Sequence, residues 1–142
     1  MLGHFEKIEP NEEQVQKLYQ LLTKRAHSIS HSELPQLSDH RAFVFSHPYR
    51  AWYLMKFEGR LYGSFYLTQM NEIGINFAED HTNEEVAEIV NFVQTNYEPL
   101  PPIPSVRGRG FFVNVPASNK DLQKTLDQLG YACIQHTYAL KH

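Results

Sequence analysis

The stretch WYLMKFEGRLYGSFYLTQMNEIGINF, from Trp52 to Phe77, decides how the rest of the chain can be arranged. Aromatic and aliphatic side chains recur in it at the two-residue period of a β-strand. Glu58 and Gly59 predict a hairpin turn, because glycine tolerates the positive φ that a tight turn requires. A second reversal is expected near residues 69–71. The stretch therefore predicts three consecutive antiparallel strands.

The last of these strands, predicted for residues 72–78, has one face that carries almost no side-chain bulk. That face consists of Gly74, Asn76 and Ala78, whereas Ile73 and two further apolar residues alternate on the other face. Small residues along a strand allow another group to approach the backbone closely. The strand is therefore a candidate surface for a ligand or for a bulky neighbour.

The overall composition is that of a globular protein. The chain has 142 residues, of which 42% are hydrophobic and 20% are charged, and this length predicts one domain spanning residues 1–142. The net charge of −3 provides no basic field that would attract nucleic acid or anionic lipid. Cys133 is the single cysteine, which excludes an internal disulfide and a cysteine-based zinc site. Because no apolar run approaches the roughly 20 residues of a membrane helix and no signal-peptide pattern opens the chain, a cytoplasmic location is expected.

Before the central stretch, the pattern predicts a short strand at residues 2–8 and then a helix that Asn11 caps and that runs to about Ala26. Residues 27–50 are polar and interrupted by prolines, and a short helix is expected at residues 39–46. Long irregular segments often form binding loops. This region is therefore a candidate wall of a ligand site.

After the central stretch, Thr82 and Glu85 match the spacing of a capping box. A helix is expected to begin at Thr82 or Asn83 and to end before the prolines of residues 99–104, which disfavour helical conformations. The proline-rich segment predicts a surface connection.

The remainder of the chain predicts a strand at residues 110–115 and a helix that Ser118 caps and Gly130 ends. A final strand is expected at residues 131–140, where polar and apolar residues alternate. Together with the elements above, this order indicates a mixed α/β domain.

Three segments of the sequence resemble the GNAT superfamily of acyl-CoA-dependent N-acetyltransferases. They are EGRLYGSFYL at residues 58–67, NEIGINF at residues 71–77 and NVPASNKDLQKTLDQLGY at residues 114–131. The resemblance implies a GNAT-like α/β (α+β) fold, with a mostly antiparallel central sheet and helices on both faces. A weaker resemblance links residues 28–54 and 134–140 to bacterial acetyltransferases that modify amino groups of nucleotide sugars.

The resemblance also implies where acetyl-CoA would bind. In the family, the fourth strand diverges from the fifth, and the pantetheine arm inserts between them and pairs with the fourth strand as an added strand would. Transferred to this sequence, the implied cofactor-binding residues are Ile75, Asn76, Phe77, Ala78, Asn114 and Asn119.

This sequence departs from the family where the cofactor pyrophosphate should be held. The family has a glycine-rich loop there, at the start of a helix. Residues 78–86, AEDHTNEEV, contain no glycine and bring four carboxylates to that helix end, which would repel phosphate. The RGRG of residues 107–110 does not replace the loop, because it leads into a strand rather than a helix, although Arg107 or Arg109 could offer charge to a phosphate or an acidic substrate.

The acid that family members use to protonate the departing thiolate is also replaced. The resemblance places a tyrosine at the position of Leu126 and a small polar residue at the position of Leu122.

Two functions therefore stay open. One is an N-acyltransferase that transfers an acetyl or related acyl group to a primary amine of a small molecule, with an amino sugar as one candidate. The other is a non-catalytic GNAT-like binding module with a degenerate CoA site.

For the enzyme, Glu72 is the candidate base that takes a proton from the acceptor ammonium, and His40 is the second candidate. A solvated strand-end carboxylate and a surface or capping histidine are the structural alternatives. A backbone N–H near Phe77 or Ala78 would hold the oxyanion. The candidate acceptor-binding residues are Tyr49, Arg50, Trp52 and Tyr66. The sequence of residues 47–53 is also typical of a turn that leads into a strand, without any role in binding.

Histidine is a common metal ligand, and four histidines lie close in sequence, at positions 27, 31, 40 and 47. Their spacing matches no established zinc pattern and no cysteine accompanies them, so no metal is predicted. The expected partner is a small-molecule amine. A homodimer is an expectation that rests on the family resemblance.

Overall fold

A five-stranded sheet forms the centre of the computed structural model, which describes residues 3–24 and 33–141. The strands lie in chain order across the sheet: β1 (His4–Lys7), β2 (Ala51–Phe57), β3 (Arg60–Leu67), β4 (Glu72–Phe77) and β5 (Phe112–Asn114). The first four pair antiparallel, whereas β5 pairs parallel to β4. The predicted run of three antiparallel strands between Trp52 and Phe77 is confirmed.

Four helices flank the sheet: α1 (Glu12–Thr23), α2 (Leu37–Phe45), α3 (Asn83–Asn96) and α4 (Lys120–Gln128). Asn11 caps α1, as its side chain accepts a hydrogen bond from the Gln14 N–H. Both hydrogen bonds of the predicted capping box at Thr82 are present, so the start of α3 is confirmed. The cap of α4 is Asn119, which accepts from the Leu122 N–H; the expectation that Ser118 caps this helix was wrong by one residue.

The helices lie on opposite faces of the sheet and create two separate apolar cores. On one face, α3 and α4 pack over side chains that include Tyr53, Phe65 and Ile75. On the other face, α1 and α2 pack over Trp52 and Leu54. The predicted mixed α/β fold with helices on both faces is therefore confirmed.

The hairpin between β2 and β3 contains a register shift that the alternation of residue types did not reveal. Lys56 pairs with Leu61 but the preceding Met55 pairs with Gly63, so one residue of β3 is inserted as a bulge. As a result, Tyr62 joins the core under α3 and α4, whereas Leu61 packs with the opposite core. The bulge directs the Tyr62 hydroxyl towards the start of α3.

The predicted final strand is absent. Residues 131–141 lie outside every strand of the described structure and are exposed along their whole length. The polarity alternation of the segment is compatible with a strand, but a strand also requires a neighbour to receive its backbone hydrogen bonds.

No helix in residues 3–24 and 33–141 is long and apolar enough to cross a membrane.

Candidate functional site

The strands β4 and β5 run side by side for three residues and then separate. Their register extends from Glu72 opposite Phe112 to Gly74 opposite Asn114, and pairing stops there although β4 continues to Phe77. Proline at position 116 explains the end of the ladder, because the next donor from the β5 side would be its backbone nitrogen, which carries no hydrogen. A gap therefore opens beside the second half of β4.

The backbone of β4 presents polar groups to this gap. The Ala78 N–H donates to the Tyr62 carbonyl at 2.9 Å and so points towards β3. Since successive residues of a strand direct their N–H and C=O groups to opposite sides, those of Ile75 and Phe77 point the other way, towards β5. The Ile75 N–H meets the Asn114 carbonyl at the end of the ladder, so the Ile75 carbonyl and both backbone groups of Phe77 face the gap. Of the two residues considered as an oxyanion donor, Phe77 has its N–H on the gap side, whereas the N–H of Ala78 is used within the sheet.

The nearly bare face of β4 is covered by an aromatic ring. Tyr66 lies opposite Gly74 in the register, and a Cβ atom at Gly74 would overlap the Tyr66 ring. That ring stacks on Tyr49, with centroids 4.1 Å apart and planes 10° apart. Tyr49 in turn meets Trp52 edge to face at 5.1 Å. Three of the four predicted acceptor-binding residues thus form one aromatic cluster on the α1 and α2 side of the sheet.

Glu72 begins β4 on the same face as this cluster. It lies two residues before Gly74, so its half-buried side chain projects to the side of Tyr66. Thr68 fixes the turn before it: the Thr68 hydroxyl oxygen accepts hydrogen bonds from the backbone N–H groups of Met70 and Glu72, each at 3.1 Å. The same hydroxyl lies 3.5 Å from a carboxylate oxygen of Glu72. A carboxylate is thus held at the closed end of the gap.

The fourth predicted acceptor-binding residue, Arg50, and the second candidate base, His40, lie elsewhere. Arg50 donates a hydrogen bond to the Glu98 carbonyl at 2.7 Å and lies over the Tyr97 ring, beyond the end of α3. His40 is 5% exposed in the core between α1 and α2, with its Nε2 atom 3.1 Å from the Val15 carbonyl oxygen. Burial lowers the pKa of His40, which keeps the ring neutral. The structure does not bring either residue together with Glu72.

The start of α3, where the resemblance implies a pyrophosphate site, is closed by the protein's own side chains. Within the capping box, the Glu85 carboxylate accepts from the Thr82 N–H at 2.7 Å and the Thr82 hydroxyl accepts from the Glu85 N–H at 3.2 Å. The Tyr62 hydroxyl donates to the same carboxylate at 2.6 Å. Burial and this carboxylate raise the pKa of Tyr62 well above its usual range. Two backbone donors that could meet an anion are therefore already satisfied.

Further contacts tie the start of α3 to α4. His81 stacks on Phe77 and its Nε2 atom lies 2.9 Å from the Thr125 hydroxyl, which is buried. Asn83 donates to the side-chain carbonyl of Gln128, also at 2.9 Å. These contacts bridge the two helices on the side of the sheet opposite the aromatic cluster.

The α4 residues that replace the family's acid and its small polar neighbour are part of the core. Leu122 is fully buried and Leu126 packs against the same core. Asn119 uses its side-chain oxygen to cap α4, and Asn114 is exposed at the end of β5. Neither leucine can donate a proton, so an acid for the departing thiolate would have to come from another group or from water.

Two residues that shape the site were missed by sequence reasoning. Pro116 ends the parallel ladder, and a proline soon after the expected strand at residues 110–115 was the available signal. Asn71 was expected only to lie in a turn, yet it is fully buried and its side chain exchanges two hydrogen bonds with the backbone of Leu100, at 2.8 and 2.9 Å. Its backbone carbonyl also accepts from the Phe112 N–H at 2.9 Å, which sets the position of β5.

Among the described residues, the loop arginines and the histidines form no second site. Arg107 donates to the carbonyls of Pro101 and Gln69, and Arg109 is exposed. His27 and His31 lie outside the described residues. Within residues 3–24 and 33–141, no three histidine, cysteine or acidic side chains are grouped as a metal site would require.

No protein-family model matches the sequence, and no curated protein matches it. Solved structures do match the fold. One is a possible acetyltransferase from Clostridium difficile 630, with a TM-score of 0.58 and 10% identity over 100% of this chain and 99% of that chain. Another is the aminoglycoside N-acetyltransferase AAC(6′)-Iy in complex with CoA, with a TM-score of 0.59 and 12% identity over 98% of this chain and 95% of that chain. These matches show the fold of the chain, and they confirm the predicted GNAT-like fold.

Proposed function

We propose that the protein is an acyl-CoA-dependent N-acyltransferase that transfers an acetyl or related acyl group to a primary amine of a small molecule. The observation that carries this proposal is the separation of β4 from β5 after Gly74 and Asn114. It leaves a strand edge that an extended polar chain can join through backbone hydrogen bonds. Two solved acetyltransferase structures with this fold, one of them a CoA complex, support the same assignment.

Pantetheine is an extended chain with two amide groups and is suited to such an edge. The backbone carbonyls of Ile75 and Phe77 would accept hydrogen bonds from its amide N–H groups, which leaves the Phe77 N–H for the thioester oxygen. Asn76 and Ala78 line the strand, and Asn114 flanks the opening. Asn119 contributes by holding the first turn of α4. The thioester end would lie towards Glu72 and the nucleotide end towards the start of α3.

The transfer itself is a direct attack of the amine on the thioester carbonyl. The amine nitrogen forms a bond to the carbonyl carbon, the carbonyl oxygen becomes an oxyanion held by the Phe77 N–H, and the carbon–sulfur bond then breaks. The proton lost by the amine passes to Glu72, and CoA leaves as a thiolate that takes a proton from water. His40 is a weaker candidate for the base, because its ring is buried against the Val15 carbonyl.

The acceptor is proposed to bind on the face that carries Tyr49, Trp52 and Tyr66. Stacked tyrosines offer apolar faces with polar tips, which suits a ring-shaped amine such as an amino sugar. Arg50 would not contact the acceptor directly, because its guanidinium is bound to the Glu98 carbonyl. Its role would be to fix the loop that follows α3.

A second candidate function is a non-catalytic GNAT-like module. The observation that favours it is the closed start of α3, where the capping box satisfies two backbone donors and the neighbouring residues Glu79, Asp80 and Glu84 carry negative charge. A module of this kind would retain the fold and lack turnover.

Turnover distinguishes the two candidates. Release of the CoA thiol from acetyl-CoA should be measured with a panel of amino sugars, polyamines and aminoglycosides. The enzyme proposal predicts amine-dependent release of thiol with at least one class. Absence of release with every class, at saturating acetyl-CoA, would favour the binding module.

For the amine that supports turnover, Glu72→Gln should lower kcat by roughly 100-fold or more, the usual contribution of a general base. The affinity for acetyl-CoA should change little, because the carboxylate meets the amine rather than the cofactor. Glu58→Gln is the matched control, since it removes the same charge from the exposed β2–β3 turn. Equal kcat in the two variants would exclude Glu72 as the base.

A further inference from the structure

We propose that the protein binds its acyl donor through the pantetheine arm alone, so that an acyl-pantetheine without a nucleotide serves as well as acyl-CoA. This inference rests on the proposed acyltransferase function and adds the chemical class of the donor. In coenzyme A a pyrophosphate joins the pantetheine arm to a nucleotide, and a further phosphate on the ribose adds negative charge. The gap between β4 and β5 suits the arm, whereas the start of α3 does not suit the nucleotide.

The backbone at the start of α3 is poorly suited to a pyrophosphate. A helix start binds phosphate through free N–H groups, but those of Thr82 and Glu85 are held within the capping box, at 2.7 and 3.2 Å. Residues 78–86 contain no glycine, so each side chain there limits how closely a phosphate can approach the backbone. The Tyr62 hydroxyl, which donates to the Glu85 carboxylate, also lies 3.0 Å from the Asp80 carbonyl oxygen and helps to fix this loop.

The charge at the start of α3 is negative, and the neighbouring elements do not balance it. Four carboxylates lie close together in the chain there, those of Glu79, Asp80, Glu84 and Glu85. Arg60 on β3 balances only Glu79, to which it donates a hydrogen bond at 2.6 Å. Helix α4 packs beside this point, but its two lysines are matched by two aspartates, so it adds no net charge. The remaining carboxylates would repel the phosphates of a nucleotide.

His81 occupies the space between the end of the gap and α4. Its ring stacks on Phe77, the last residue of β4, with ring centroids 4.7 Å apart. Its Nε2 atom lies 2.9 Å from the hydroxyl of Thr125 on α4, and Thr125 is buried. A nucleotide that extends from the arm beyond Phe77 would have to pass this bridge to reach the start of α3. It is therefore expected to stay in solvent.

The pantetheine arm needs no charge from the protein. Its amide groups are neutral, and the groups of β4 that face the gap are the Ile75 carbonyl and the backbone N–H and carbonyl of Phe77. Backbone hydrogen bonds to a neutral chain depend little on ionic strength, whereas a cationic site for pyrophosphate loses affinity as salt is added. The effect of salt therefore distinguishes recognition of the arm from recognition of the nucleotide.

Calorimetric titrations of the full chain with acetyl-CoA and with acetyl-pantetheine test the inference. The two Kd values should agree within about threefold near physiological salt. Raising the salt from about 0.05 M to about 0.5 M should tighten the binding of acetyl-CoA by roughly fivefold, because the repulsion is screened, and should leave acetyl-pantetheine unchanged. Acetyl-CoA that binds at least tenfold more tightly than acetyl-pantetheine, or that binds more weakly as salt is added, would overturn this inference but not the proposed function. Binding of neither donor would contradict both.

Removal of two unbalanced carboxylates tests the cause of the repulsion. Asp80→Asn combined with Glu84→Gln should tighten the binding of acetyl-CoA by roughly fivefold at low salt and leave that of acetyl-pantetheine unchanged. Both side chains are exposed, so the fold should be retained. The matched control combines Asp39→Asn with Glu33→Gln, which removes the same charges from exposed residues in and before α2. Equal affinity for acetyl-CoA in the two double variants would refute the repulsion.

Discussion

Asn71 shows how a single side chain can join two distant parts of this protein. It is fully buried in the β3–β4 turn at a φ of +65°, a backbone conformation in which asparagine is more tolerable than most residues. Its amide also holds Leu100, at the start of the proline-rich connection. The geometry of the turn, of the connection and of β5 therefore depends on one residue.

We expect Asn71→Ala to lower the free energy of unfolding by about 3 kcal/mol, since it leaves the backbone groups of the half-buried Leu100 without these partners and alanine tolerates positive φ less well than asparagine. Asn71→Gly loses the same hydrogen bonds but relieves the backbone, so it should be the more stable variant by about 1 kcal/mol. Urea unfolding of the three proteins measures both differences. Equal stability of all three would refute this role of Asn71.

The burial of His40 predicts a pH dependence of stability. Its pKa is lowered from the ordinary 6.5 by burial in the folded protein, and the pKa of His47 is lowered for the same reason. The unfolded chain therefore binds more protons, and stability should fall as the pH drops below about 6.5, by up to about 1.4 kcal/mol per pH unit for one site.

Unfolding free energies measured between pH 7 and pH 5 test the sign of this effect. His40→Gln should flatten the dependence, whereas substitution of the exposed His4 by Gln should not. This range lies above the ordinary glutamate pKa of 4.5, which limits the contribution of groups such as Glu6. Stability that rises as the pH falls would contradict the buried, neutral His40.

Among the elements, the feature that shapes the candidate site is the parallel pairing of β4 and β5, which ends after three residues. The polarity pattern predicted β4 well, because its apolar residues alternate. The end of pairing depends on a backbone hydrogen that is missing from Pro116, a feature that alternation does not report. In the same way, the β3 bulge placed Tyr62 in the α3 and α4 core, although the simple period of two predicted the other face.

Pro116→Ala should narrow the gap, since alanine supplies an N–H that the Ile75 carbonyl can accept. That hydrogen bond would compete with the pantetheine arm, and we expect roughly fivefold weaker binding of acetyl-CoA, from a bond of about 1 kcal/mol. Pro104→Ala, on the proline-rich connection, is the control. If the affinity for acetyl-CoA is the same in Pro116→Ala as in this control, Pro116 does not determine the gap between β4 and β5.

At the scale of the molecule, most of the fold and less of the candidate site could be predicted from the sequence. The three central strands, the Asn11 cap and the Thr82 capping box were predicted because each depends on residues close in sequence. The segment 131–140 was predicted as a strand and is not one, because alternation indicates strand character without supplying a partner. Tyr49, Arg50, Trp52 and Tyr66 were proposed from the sequence as acceptor-binding residues. That three of them form one aromatic cluster, and that Arg50 and His40 lie apart from it, depends on packing between distant elements.

Acyl transfer by this protein requires that acetyl-CoA binds between β4 and β5. Titration of the full chain with acetyl-CoA by calorimetry tests it most directly. We expect binding with a micromolar Kd, weakened in Pro116→Ala and unaffected in Glu72→Gln. An absence of binding up to millimolar acetyl-CoA would contradict the proposed function.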